Sequence, residues 1–354
     1  MSVEIILHPK RGSKKALKEL LESLGYKPCG HLWKWGRGSL NFHWFESDQC
    51  KSYDGVEATI FKPQNSDDNN LGPCEWALHT RTRVAASPDD KEHQNQTIRE
   101  ARRRFGGNFY NDWYGRNRYI SVRTDGRDAI SRAIFLTYER VTAKLGLVRV
   151  VLPEGQKLKG RTPSSKYAKQ IVDFLGEIDP VRVLYNALVP FLVASLENFF
   201  SECFKIMLRY DEKARAKLQQ QNRKVEITDL IAVKNGEKTL EDIIAGWYSF
   251  QNIDSIHKAF SDWFSIDFWK VIRTEATIGD KAIRIEEQFN NLIEFRHGIV
   301  HRFDIDHGLD KAQIIGFFET TGAIIDTFVD FIEKSRGFAV KDRYDKEEDG
   351  GEID

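Results

Sequence analysis

Cysteine is scarce in this chain. Four stand among 354 residues, at Cys29, Cys50, Cys74 and Cys203, and no two have the CxxC spacing of a redox or zinc motif. No charged-then-apolar leader precedes them, so the expectation is free thiols in a reducing compartment, the cytoplasm. Charge of one sign is missing too. Fifty-three basic and 53 acidic residues cancel, which excludes recognition of a polyanion by bulk charge. Long apolar runs are absent as well: the most apolar stretch, VLYNALVPFLVASLENFF, is broken by Asn186, Pro190 and Glu197, too polar and too short for a membrane span. The chain also lacks a P-loop, a GxGxxG, a GxSxG and any internal repeat, so nucleotide-triphosphate, dinucleotide and α/β-hydrolase readings have no anchor.

What is present suits a folded protein of two domains. Hydrophobic residues at 41% and aromatics at 12% supply buried cores, and 354 residues are many for a single one. Residues 1–151 read as an α+β domain, a small antiparallel sheet with helices. Strands are expected at VEIILH, VEATIF, EWALHTRTRVAAS and RYISV, with a hairpin in HLWKWGRGSLNFHWFE. Helices are expected at KKALKELLESLG, DDKEHQNQTIREARRRFGG and RDAISRAIFLTYERVTAKLG. A Pro, Gly, Lys and Ser-rich stretch marks a linker at 152–168, and an acidic, mobile tail is expected over 339–354.

Between them, residues 169–338 have helical period almost throughout and predict an all-α bundle. Asp179 and Pro180 open a long helix that runs through LENFFSECFKIMLRYDEKARAKLQQQ, bent at Pro190. Further helices are expected in SIHKAFSDWFSIDFWKVIRT, KAIRIEEQFNNLIEFRHGIVHRF and KAQIIGFFETTGAIIDTFVDFIEKS.

One stretch concentrates chemistry. EFRHGIVHRFDIDHG holds three of the chain's nine histidines beside Arg296. At about 100° per residue, His297 falls about 100° and His301 about 140° from Arg296, so the three are expected to project from one side of a helix while Ile299 and Val300 face the other. A permanently charged guanidinium matches two phosphate oxygens, and imidazole exchanges protons near neutral pH. Those groups are what metal-free cleavage of an RNA phosphodiester needs. Two other readings stand beside this one. His297 and His301 have the i, i+4 spacing of zinc ligands, with Asp304, Asp306 or His307 to complete a set, although HGIVH lacks the glutamate of HExxH. Alternatively, positive groups simply favour the C-terminal turn of a helix. Asp304, Asp306, Gly308 and Asp310 fall short of a calcium loop and are expected to form a turn and an N-cap.

The run from Arg296 to His301 resembles the R-polar-xxx-H signature of the HEPN superfamily, and it lies where that family carries it, late in a helical bundle with one long helix following. The resemblance covers about residues 170–335. It implies a metal-independent endoribonuclease that needs no cofactor and leaves a 2′,3′-cyclic phosphate. Arg296 would contact the scissile phosphate, His301 would act as general acid or base, and His297 would orient the substrate or a partner side chain. It implies a homodimer, because the family builds its cleft from two motifs across a two-fold axis. Glu197 matches the acidic residue that some members place on an early helix facing the motif; equally, it is a structural partner for a Lys or Arg. The family also contains non-catalytic RNA- or nucleotide-binding modules, and its prokaryotic members include toxins and antiviral abortive-infection effectors, some acting on tRNA.

The first domain is read as a recognition or sensor domain, where an antitoxin or trigger protein would bind. Arg102, Arg103, Arg104, Arg116 and Arg118 alternate with Phe105, Phe109, Tyr110, Trp113, Tyr114 and Tyr119, a composition suited to single-stranded RNA. The rings equally suit the core of a small sheet domain. Trp33, Trp35, His43 and Trp44 offer a protein-recognition surface, half of it expected in the core. Cys29, His31, Cys50, Cys74 and His79 fit no standard zinc knuckle and are expected to be scattered.

Overall fold

A computed structural model describes residues 1–30, 38–63, 71–122, 126–154, 180–278, 281–302 and 304–341. Contacts divide the chain into two units, Met1–Arg132 and Ala133–Asp354. The division falls before the expected linker, most of which lies outside the described residues.

In the first unit, β1 (Ser2–His8), β2 (Lys27–Pro28), β3 (Leu40–Trp44), β4 (Val56–Phe61), β5 (Ala77–Arg83), β6 (Asn108–Asn111) and β7 (Gly115–Arg116) form one sheet in the order β2-β3-β4-β5-β1-β6-β7. All its pairings are antiparallel. The two-residue period decides the faces. Val3, Ile5 and Leu7 of β1 join Val56, Ala58 and Ile60 of β4 in one apolar layer. Helices α1 (Lys14–Ser23) and α2 (Pro88–Phe105) cover it with Leu17, Leu20, Leu21, Ile98 and Ala101. The alternate positions form a polar ladder, in which Glu4 lies 3.1 Å from His79 and 3.5 Å from Arg81, and Arg81 lies 3.5 Å from Glu57.

Helix α2 starts as its sequence dictates. Ser87 and Asp90 make a reciprocal capping box, and Gly106 ends the helix at φ 66°. Gly107 is required where it stands: its φ is 101°, and a Cβ would lie 2.0 Å from the carbonyl oxygen of His8. RYISV is not a strand. Asn95 on α2 accepts from Ile120 N and donates to Ile120 O, both at 2.9 Å, so a buried amide takes the place of a ladder partner. The strands β6 and β7 lie just before it instead.

The second unit is mostly helical. Helix α3 (Ala129–Val150) begins at the division between the units, and its Tyr138 hydroxyl donates to Asp326 at 2.7 Å. Then come α4 (Pro180–Tyr210), α5 (Glu212–Leu218), α6 (Ile227–Lys234), α7 (Leu240–Ala245), α8 (Ile253–Phe264), α9 (Phe268–Ile272), α10 (Ile285–His297) and α11 (Lys311–Arg336). Three expected helices are shorter than their apolar period suggests. Asp211 ends α4 by capping α5 with its side chain, and Ser265, at φ 55°, separates α8 from α9. Residues from Lys281 join a hairpin, β8 (Glu275–Ile278) with β9 (Lys281–Arg284), and α10 starts only at Ile285. Residues up to Lys341 are packed rather than loose: Val340 is buried, and the Val340 and Lys341 amides both donate to Glu333 at 2.8 Å.

Phe200 on α4 ties the bundle together. Its ring lies 5.2 Å from Phe268 on α9, 5.3 Å from Phe328 on α11 and 6.2 Å from Phe289 on α10. Such aromatic pairs contribute about 0.5–1.5 kcal/mol each beyond the area they bury. Among the described residues α4 alone is long and apolar enough to cross a membrane, yet Leu192, Val193, Leu196, Phe199, Phe200, Phe204 and Met207 lie in this core.

The first unit should weaken in acid. His93 stacks on Trp44 at 3.7 Å, and burial pushes its pKa down to about 4, with Asp90 pulling the other way. Between about 6.5 and 4 the unfolded chain therefore binds a proton that the folded chain refuses, and stability falls as pH falls. Glu4, held at about 2 chiefly by its hydrogen bond to His79, extends the loss below its ordinary 4.5. Denaturant midpoints followed from pH 7 to 4 should drop for the wild type and drop less for His93→Gln.

Candidate active site

Buried residues on α10 recur at Ile285, Phe289 and Leu292, and the next position on that stripe is Arg296. A guanidinium thus stands where the period calls for a core side chain, at the end of the helix and only 23% exposed. Facing it from α4 is Glu197, one turn before Phe200, with its Oε1 3.8 Å from Arg296 Nη2. That oxygen is buried and makes no hydrogen bond. Burial raises the pKa of Glu197, and the charge of Arg296 opposes the rise. The pair is electrostatic and loose, so the guanidinium keeps donors for an anion.

The helix changes winding at this point. Residues Gly298–Arg302 form one π turn, closed by i to i+5 hydrogen bonding. On an α-helix Arg296 and His301, five apart, would diverge by about 140°. The wider π turn reduces that divergence. His297 and His301 are both exposed, with ring centroids 4.5 Å apart. The expected burial of Ile299 and Val300 does not hold: Val300 is 50% exposed and Ile299 only partly buried, while Gly298 is buried; four residues after Arg296, Val300 falls about 40° from it on the wheel, on the side of the motif.

The segment after the turn is pinned by a residue that reads in the sequence as a mere interruption. Asn186, 1% exposed on α4, donates to Arg182 O at 2.8 Å and Asp306 O at 2.9 Å and accepts from Asp306 N at 2.9 Å. Eleven residues separate Asn186 from Glu197, about three turns, so one face of α4 holds both the carboxylate and the clamp. The signal was a polar amide inside an apolar helical run. The neighbouring acids are used locally. Asp304 pairs with Arg302 at 2.9 Å, Asp306 accepts from Gly308 N at 2.7 Å, and Asp310 caps α11 reciprocally with Gln313. Among the described residues no three His, Cys, Asp or Glu side chains converge as a metal site. His31 lies outside the described residues, as do Trp33 and Trp35, while His79 is engaged by Glu4.

The arginines of the first unit separate into two kinds. Arg103 and Arg104 share Glu100, at 2.6 and 4.0 Å, in the last turn of α2. Arg102 lies over the Phe109 ring at 5.7 Å, and Arg102, Arg116 and Arg118 have no carboxylate partner among the described residues. Phe109 is core, as the sheet reading expects. Trp113 is not: it is 52% exposed, with its indole N–H fixed on Ser2 O at 2.9 Å.

Residues 163–334 match the family model described as RiboL-PSP-HEPN, which leaves the first unit uncovered. No curated protein and no solved structure matches the chain.

The clamp can be tested without any substrate. Asn186→Ala should cost about 1–3 kcal/mol in chemical denaturation, since it leaves buried polar groups unpaired. Hydrogen exchange should show the Asp306 amide opening faster, with the sheet of the first unit unaffected.

Proposed function

As the chain carries a HEPN domain over residues 163–334, we propose that this protein is a metal-independent endoribonuclease acting as a homodimer. The reading is carried by one observation: the π turn at Gly298–Arg302 gathers two exposed imidazoles beside a guanidinium held 3.8 Å from Glu197. In the proposed reaction the ribose 2′-oxygen attacks phosphorus and an imidazole takes its proton. The bond from phosphorus to the 5′-oxygen breaks, that oxygen is protonated by a second imidazole, and a 2′,3′-cyclic phosphate remains. His301 is the proton-transfer group, Arg296 neutralises the charge on the pentacoordinate phosphorane, and His297 orients substrate or the facing side chain. Glu197 holds Arg296 in place.

A second protomer completes the site. One face of α4 leaves Leu184 44% and Phe191 67% exposed, and Val300 of the π turn, against which α4 packs, is 50% exposed. Those exposed apolar groups, on the π turn and on the helix that packs against it, support a two-fold contact that sets two Arg–His motifs across one cleft. The first unit then selects RNA through Arg102, Arg116 and Arg118 with Trp113, or receives an antitoxin or trigger protein. The biological role is that of a cytoplasmic toxin or antiviral abortive-infection effector, with tRNA the first substrate to test.

Purified protein in EDTA should cut tRNA or mixed single-stranded RNA to fragments ending in 2′,3′-cyclic phosphate. Arg296→Ala and His301→Ala should each lower the rate by about a hundredfold or more. Binding without cutting in every protein would replace the enzyme by a non-catalytic RNA-binding module. Activity only after added zinc or manganese would make the histidines ligands of a metal-dependent hydrolase.

The oligomer has its own test. Phe191→Glu should shift the mass measured by light scattering from dimer to monomer and remove cleavage together with the dimer.

A further inference from the structure

A cavity lies away from the Arg–His motif, between the β8–β9 hairpin and the first half of α10. Its volume is about 580 Å³, within the range of small-molecule sites. Glu275, Arg284, Glu287, Asn290 and Asn291 line it, and none of the five side chains has a hydrogen-bond or ion-pair partner among the described residues. The remaining charges of the lining are already satisfied by one another: Arg273 bonds Glu286 at 3.2 Å and lies over the Trp269 ring at 5.0 Å.

The cavity shares a helix face with His297 of the motif. Asn290 precedes His297 by seven residues, so the two lie about 20° apart around α10 and about 10 Å apart along it. Both are exposed. A strand of RNA with its scissile phosphate at the motif would carry a neighbouring nucleotide past this cavity.

The free groups indicate what the cavity takes. Two carboxylates against one guanidinium repel a phosphate, so the ligand is neutral. It must offer donors to a carboxylate and acceptors to Arg284, with amides free to supply either. A nucleobase edge does this. Guanine fits most fully, since its N1–H and N2–H donate side by side to one carboxylate while O6 and N7 accept from a guanidinium. We infer that this cavity is a guanine subsite that selects RNA by a nucleotide flanking the cut, an inference that rests on the ribonuclease reading for its role and on the cavity alone for its existence.

Two measurements test the two parts separately. In saturation-transfer NMR, guanosine should receive magnetisation from the wild-type protein while adenosine receives little, and the double variant Glu287→Gln, Asn290→Leu should lose the guanosine signal. In cleavage of a randomised RNA, cuts should share a guanosine at one fixed offset. The double variant should lose that preference by about tenfold or more while cutting guanosine-free RNA at the wild-type rate. Absent guanosine transfer, or transfer unchanged in the double variant, would overturn the subsite. Cuts indifferent to guanosine would overturn its role in selection. If no RNA is cut at all, the ribonuclease reading falls and the nucleoside measurement still decides the subsite.

Discussion

Everything at the candidate site depends on how α4 lies against α10, and that is set by the ring of Phe200 among Phe268, Phe289 and Phe328. Phe200 stacks on Phe289 of α10 and meets Phe268 and Phe328 edge to face, so it is enclosed on three sides and has little room to slide. Once Phe200 and Phe289 are in register, Glu197 and Arg296 follow, one turn before the first ring and two turns beyond the second. An apolar contact therefore aims a polar pair.

The polar pair is a compromise between two demands. Deep burial would make a charged Glu197 costly, and full exposure would let Arg296 wander. At 22% and 23% exposure, both side chains are confined yet wet. Their 3.8 Å separation leaves the carboxylate oxygen without a hydrogen bond, so its pKa rises through burial and the arginine only opposes the rise. A tighter bidentate pair would be more rigid, but it would occupy the donors that a phosphate needs.

Helix α4 also shows why its composition resembles a membrane span by length and hydropathy. It is apolar on two faces rather than one, with Phe200 and its neighbours in the core and Leu184 and Phe191 exposed. A helix that serves only a monomer's core needs one such face. That second, exposed face is the physical ground for expecting a partner copy.

The strands β1, β4 and β5, the helices α1 and α2, and the long helix α11 are legible in the sequence, because strict alternation, capping boxes and helical period are local rules. So is the Arg296 to His301 motif, whose crowding stands out in a histidine-poor chain. What the sequence could not supply is contact between distant segments. RYISV has strand composition but loses its ladder to the Asn95 amide, an interaction made by a residue 25 positions away. The histidine positions are sequence facts, whereas the π turn that carries His301 runs into a loop tied to Asn186 across 120 residues of chain. Local propensity determined which chemistry this protein carries; tertiary packing decided where those groups meet, because the energies that bend a helix by one residue come from partners far along the chain.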